Sequence, residues 1–115
     1  MVDVPAFNNT PKACITKRAK EDSNAACKIP LDAYKRQTKQ YLHELIDFSE
    51  KHPQSTILNI NDALCDYKSC HMIIDGKIAY DDSNHLNVHG AHYVGKALKQ
   101  KYPNLFTNVI GKDSF

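Results

Sequence analysis

Residues 65–93 read CDYKSCHMIIDGKIAYDDSNHLNVHGAHY, and few stretches of this length leave a backbone so little choice. Cys65 and Cys70 open it, five positions apart. Asp75-Gly76 is flanked by two short segments, 72–74 and 77–80. It predicts a hairpin with a type I′ turn, whose two central residues both need positive φ. Asn87 precedes an apolar-periodic run with Pro103 just beyond it, so a helix capped by Asn87 is expected to reach about Lys101. Ala91, Val94, Gly95 and Leu98 should supply its buried face, with Gly90 and Gly95 permitting a close neighbour. Between hairpin and helix, on a short loop, lie Asp82 and His85.

The rest of the chain is less constrained. Residues 2–7 are short and apolar with Pro5 inside, which suggests the end of a strand or an edge piece. Residues 8–30 lack a clear period and are expected to form a long loop with at most one helical turn, kept in order by a Cys14–Cys27 staple. A long helix is expected from Asp32, as cap, to about Lys51, with Pro53 ending it. Tyr34, Tyr41, Leu42, Leu45 and Phe48 fall on one face of it as a packing stripe. Residues 56–60 are rich in β-branched and apolar side chains, the pattern of a short strand. The order of elements is α/β in character. Two strands make too small a sheet to cover two helices, so the fold is expected to need chain beyond these 115 residues.

A net charge of +2 gives no footing for nucleic acid or an anionic membrane, and Lys12, Lys17, Arg18 and Lys20 run straight into Glu21 and Asp22. No apolar run is long enough to span a bilayer, and the first residues lack the basic start and apolar stretch of a signal peptide. Taken alone, that start would suggest the cytoplasm. The cysteines argue otherwise. Four of them fall into two local pairs, Cys14 with Cys27 and Cys65 with Cys70, favoured here over the other two pairings because each closes a loop without strong helix or strand signal. A closed loop of about 14 residues stabilises a fold by about 3 kcal/mol. Disulfides imply an oxidising compartment, and with no export signal in view they fit a piece whose signal lies further upstream. Free buried thiols are the alternative.

Asp82 and His85 have the spacing of an acid–base pair. Imidazole moves protons near neutral pH, and a carboxylate on its far nitrogen fixes the tautomer and stabilises imidazolium. Asp81 would be one residue too far. A surface or capping pair is the default for two such residues alone. No serine completes a triad: Ser83 lies between the partners, and Ser23, Ser49, Ser55, Ser69 and Ser114 lack a Gly-Asp-Ser or Gly-x-Ser-x-Gly setting.

A wider pattern points further. Pro5-Ala6-Phe7-Asn8, the spaced Cys14 and Cys27, Leu64-Cys65 with Cys70, Asp75-Gly76, Tyr80-Asp81-Asp82, His85-Leu86-Asn87 and Gly90-Ala91 occur in one order. That order resembles the carboxy-terminal half of the SGNH domain fused to bacterial membrane acyltransferases that O-acylate surface polysaccharides. The likeness covers roughly residues 2–102. It implies a three-layer α/β/α sandwich with a parallel sheet, of which this chain would be the carboxy-terminal portion. By the same likeness Asp82 and His85 are the acid and base of a catalytic triad, and Cys14, Cys27, Cys65 and Cys70 form periplasmic disulfides. The expected activity is transfer of acyl groups, acetyl foremost, to polysaccharide or lipopolysaccharide sugars, with no cofactor and no metal. The nucleophile block, the rest of the oxyanion hole and the membrane acyltransferase domain would all precede residue 1. The implied partners are that upstream half, the membrane domain and a carbohydrate acceptor, on the periplasmic side of the inner membrane.

Two other readings compete. Cys65, Cys70, His85 and His89 approach a Cys2His2 zinc spacing, although the hairpin lies after the cysteines and a basic face is missing. His89 and His92 could also form a surface metal pair, while His43, His52 and His71 read as surface residues. Alternatively the chain is a non-catalytic remnant or binding module of the same fold.

Overall fold

A computed structural model describes residues 4–21, 23–59 and 61–104. Helix α1, Pro11–Glu21, comes first. A 3-10 turn, Ala25–Cys27, leads into strand β1, Lys28–Pro30, and the long helix α2, Leu31–Lys51. A single turn, α3 (Asn61–Leu64), precedes β2 (Ser69–His71), β3 (Ile73–Ile74) and β4 (Lys77–Ile78), and α4, Val88–Lys101, closes the described chain. The architecture is mixed α/β with two small antiparallel sheets. In one, β1 pairs β2 with Ile29 opposite Cys70; in the other, β3 pairs β4 with Ile73 opposite Ile78. No parallel pairing occurs among the described residues. No helix among them is long and apolar enough to cross a membrane.

The hairpin forms as its turn residues demand: Asp75 has φ 51° and Gly76 φ 75°. Helix α4 also starts where its cap predicts, with Asn87 Oδ1 accepting the Gly90 N–H at 2.8 Å. Its buried face differs from expectation. Gly90, Val94 and Leu98 are buried, whereas Ala91 and Gly95 are exposed. The buried stripe therefore runs strictly at four-residue steps. Gly90 packs where no side chain fits, against the Ala79 carbonyl, while a Cβ on Gly95 would meet nothing within 4 Å.

Four other expectations need correction. Residues 8–30 are not mainly loop, because Thr10-Pro11 starts an 11-residue helix. Thr10 Oγ1 accepts the Ala13 N–H at 3.1 Å, and Pro11 at the first helical position brings its preset φ. Asp32 does not cap α2. Pro30 holds the cap position without a side-chain bond, and Asp32 sits in the first turn, where its charge favours the helix dipole. Residues 4–7 join no strand, although Phe7 donates its N–H to Ser83 O at 2.7 Å. Residues 56–59 are likewise in neither strand nor helix, since a strand needs a ladder partner and the described residues offer none there; Val2 and Ile60 lie outside the described residues.

Both disulfides form, Cys14–Cys27 and Cys65–Cys70. Cys14, Cys27 and Cys70 are buried within the core, packed with Tyr34, Leu64, Met72, Tyr80 and Val94. The staples thus fill space as well as closing loops. The α2 stripe is only partly covered: Tyr34 is 1% exposed, but Tyr41 is 43% and Phe48 53% exposed. Phe48 stacks on the His52 ring at 4.0 Å instead of entering a core. Ile46 joins Leu42, beside Lys35, Lys39 and His43, in lining an open groove of about 990 Å³ along this face.

Candidate active site

The loop 79–87 is braced from three sides. The Ala79 N–H donates to Met72 O (2.8 Å), and its carbonyl accepts the Asn87 N–H (2.9 Å). Asn87 Nδ2 donates to Ile78 O at 2.9 Å, so one side chain caps α4 and also ties it to β4. Beneath the loop, Tyr80 is 1% exposed; its hydroxyl donates to Pro5 O at 2.9 Å, and its ring meets Phe7 edge-on at 4.9 Å. Within the loop, the Asp81 N–H donates to His85 O at 2.9 Å.

This frame brings Asp82 and His85 together. His85 Nδ1 lies 2.9 Å from Asp82 Oδ2 and 3.0 Å from Oδ1. An ionised carboxylate only accepts, so Nδ1 carries the proton and Nε2 of the neutral ring is left as an acceptor. Among the described residues Nε2 has no hydrogen-bond partner. The carboxylate is itself oriented, because Asp82 Oδ1 accepts the backbone N–H of Asn84 (2.9 Å) and of His85 (2.8 Å). The Asn84 N–H is the largest cause holding the Asp82 carboxyl below its ordinary value, and the His85 imidazole adds to it. The acid is therefore ionised and aimed. The pair is open to solvent, with His85 72% and Asp82 54% exposed at the side chain. The Asp81 carboxylate, though adjacent, takes no part in this contact.

A second acid–imidazole pair, Asp66 with His71, involves a histidine expected only as a surface residue. Asp66 Oδ1 accepts the N–H groups of Lys68 and Ser69, both at 2.8 Å, and Asp66 Oδ2 meets His71 Nε2 at 2.8 Å. These bonds, led by that from His71, lower the Asp66 pKa to about 2. The signal available was an Asp just inside a short disulfide loop with a His just outside it. The Leu31 N–H donates to Lys68 O, so this loop anchors the start of α2.

The zinc alternative fails on chemistry. Cys65 and Cys70 are joined and have no thiolate to offer, and His89 Nε2 is 2.9 Å from Ile74 O. Among the described residues no cluster of three or more ligating side chains suits a metal.

Residues 1–100 match the model of the SGNH domain that is fused to AT3 domains. The chain belongs to this family. Neither a curated protein nor a solved structure matches it. Membership makes this an acyltransferase-associated SGNH module, with helices and small sheets compatible with that fold.

Proposed function

We propose that this chain supplies the acid and the general base of an SGNH-type O-acyltransferase that acylates bacterial surface polysaccharide or lipopolysaccharide sugars. The observation that carries the reading is the Asp82–His85 contact, with a carboxylate pre-aimed by two backbone N–H groups and an imidazole nitrogen left as acceptor. A capping pair would need only the backbone bonds; here the carboxylate also fixes the tautomer that a general base requires.

In this mechanism His85 Nε2 takes the proton of a serine hydroxyl from a segment outside these residues as the serine oxygen attacks the donor's acyl carbonyl. The tetrahedral intermediate collapses, the acyl–donor bond breaks, and the imidazolium returns the proton to the leaving group. A sugar hydroxyl then loses its proton to Nε2, attacks the acyl-serine and releases the serine, which recovers the proton. Asp82 stabilises the imidazolium in both halves and stays ionised.

Three features support a larger domain around this chain: the exposure of the pair, the half-covered face of α2, and residues 56–59, which have strand composition and no ladder among the described residues. In this reading a preceding portion adds the parallel sheet of a three-layer sandwich and covers the dyad, which excludes water and strengthens its electrostatics. The disulfides support an oxidising compartment, which in this reading is the periplasmic side, next to the membrane domain.

The test is the acyl content of surface polysaccharide, read by NMR, in cells whose only copy of the full-length protein carries His85→Ala or Asp82→Asn. His85→Ala should abolish transfer, and Asp82→Asn should cut the rate on the order of 10³–10⁴-fold. Acylation at the normal level with His85→Ala would sink the assignment.

A further inference from the structure

We propose that the groove along the solvent face of α4 is the subsite that holds the acceptor saccharide next to the sugar being acylated. This rests on the function proposed above and adds a location and residues to it. The groove measures about 590 Å³, lies against the face of α4 opposite Val94 and Leu98, and is walled on the far side by the hairpin turn at Asp75. It begins at Val88, which is 85% exposed. Val88 follows His85 by three residues, at most about 11 Å of chain. From Val88 to Gln100 the helix rises about 18 Å, long enough for more than one pyranose ring. The groove therefore leads away from the base, as a polymer entering the site would.

Its lining suits a sugar. A pyranose presents hydroxyls at its edge and C–H groups on its faces, so a binding site needs acceptors, donors and a flat apolar surface together. The Asp75 carboxylate is an acceptor, projected from a turn fixed by positive φ at both central residues. His89 Nε2, facing the Ile74 carbonyl oxygen, must donate to it, which leaves Nδ1 of the neutral ring as an acceptor. Lys96 and Gln100 provide N–H donors, His92 is exposed beside them, and the half-buried Tyr93 gives an aromatic surface held by the core. The pairing of His89 with His92 thus gains a use that needs no metal.

The experiment is steady-state transfer by the full-length enzyme, with de-O-acylated surface polysaccharide of the source cell as acceptor. The variants are His92→Ala with Lys96→Ala, and separately Gln100→Ala; all three side chains are exposed, so folding is little affected. The double variant should raise the acceptor KM about tenfold, and Gln100→Ala several-fold, with kcat at saturating acceptor retained. An unchanged KM overturns the subsite, and so does a fall in kcat without a change in KM, which would mark these residues as structural. His85→Ala run alongside separates the two claims: activity retained there overturns the proposed function itself, whereas loss there with unchanged KM in the groove variants overturns only the subsite.

Discussion

Gly90→Ala and Gly95→Ala make the same chemical change on the same helix, five residues apart, and should have opposite effects. A helix interior gains about 1 kcal/mol when alanine replaces glycine. At Gly95 nothing lies within 4 Å of the added methyl, so that gain should appear whole. At Gly90 the methyl would press into the Ala79 carbonyl, with Ala79 C and Leu86 Cδ2 each 3.0 Å away. The oxygen cannot swing aside, because it accepts the Asn87 N–H and belongs to the braced backbone of the loop. Overpacking costs about 1–3 kcal/mol, and a rigid backbone neighbour puts this case at the upper end. Offset by the propensity gain, the net should be a loss of about 2 kcal/mol. Urea unfolding of the two variants beside the parent protein, followed by circular dichroism, measures both. If Gly90→Ala were neutral or stabilising, the close packing of α4 on Ala79 would be wrong, and so would the account of what holds Asp82 and His85 in place.

Stability should fall on acidification from about pH 4 through pH 2. The Asp66 carboxyl titrates near 2 when folded and near 3.9 when unfolded, so its contribution is present above the unfolded value and lost as pH drops through the folded one. In His71→Ala the Asp66 pKa, followed by carboxyl NMR, should rise yet stay below the ordinary range, because the Lys68 and Ser69 N–H bonds remain. Alkylation without reductant, read by mass spectrometry, should label none of the four cysteines; replacing Cys14 and Cys27 together by serine should cost about 3 kcal/mol for a loop of about 14 residues. Thr10→Ala should remove the cap of α1 and cost about 1 kcal/mol in the same urea assay.

The hairpin and α4 are legible in the sequence because single residues decide them: Asp75-Gly76 takes positive φ at both positions, and Asn87 offers the one acceptor the helix start needs. Helix α1 carries an equally local signal in Thr10-Pro11, obscured by its thin apolar face, where only Cys14 is buried. The expected cap at Asp32 fails because Pro30 already starts the helix, a choice sequence preference alone does not make. Residues 56–59 show the limit of composition, since β-branched residues specify a strand only when a partner strand is present. The acid–base contact is legible because both members lie on one short loop. The Asp66–His71 pair is not, because it depends on the Cys65–Cys70 bridge turning the chain back between them.

That both members of the dyad come from one loop also bears on how such a domain is put together. Closing a loop this short costs little chain entropy, and the carboxylate is held by N–H groups from its own turn. Acid and base can therefore take up their geometry before distant parts of the chain arrive. In the proposed reaction the nucleophile then needs only to be delivered to one exposed imidazole nitrogen, not to a constellation gathered from three places. Hairpin, loop and the first turn of α4 thus form one short contiguous unit that braces the pair with bonds of its own.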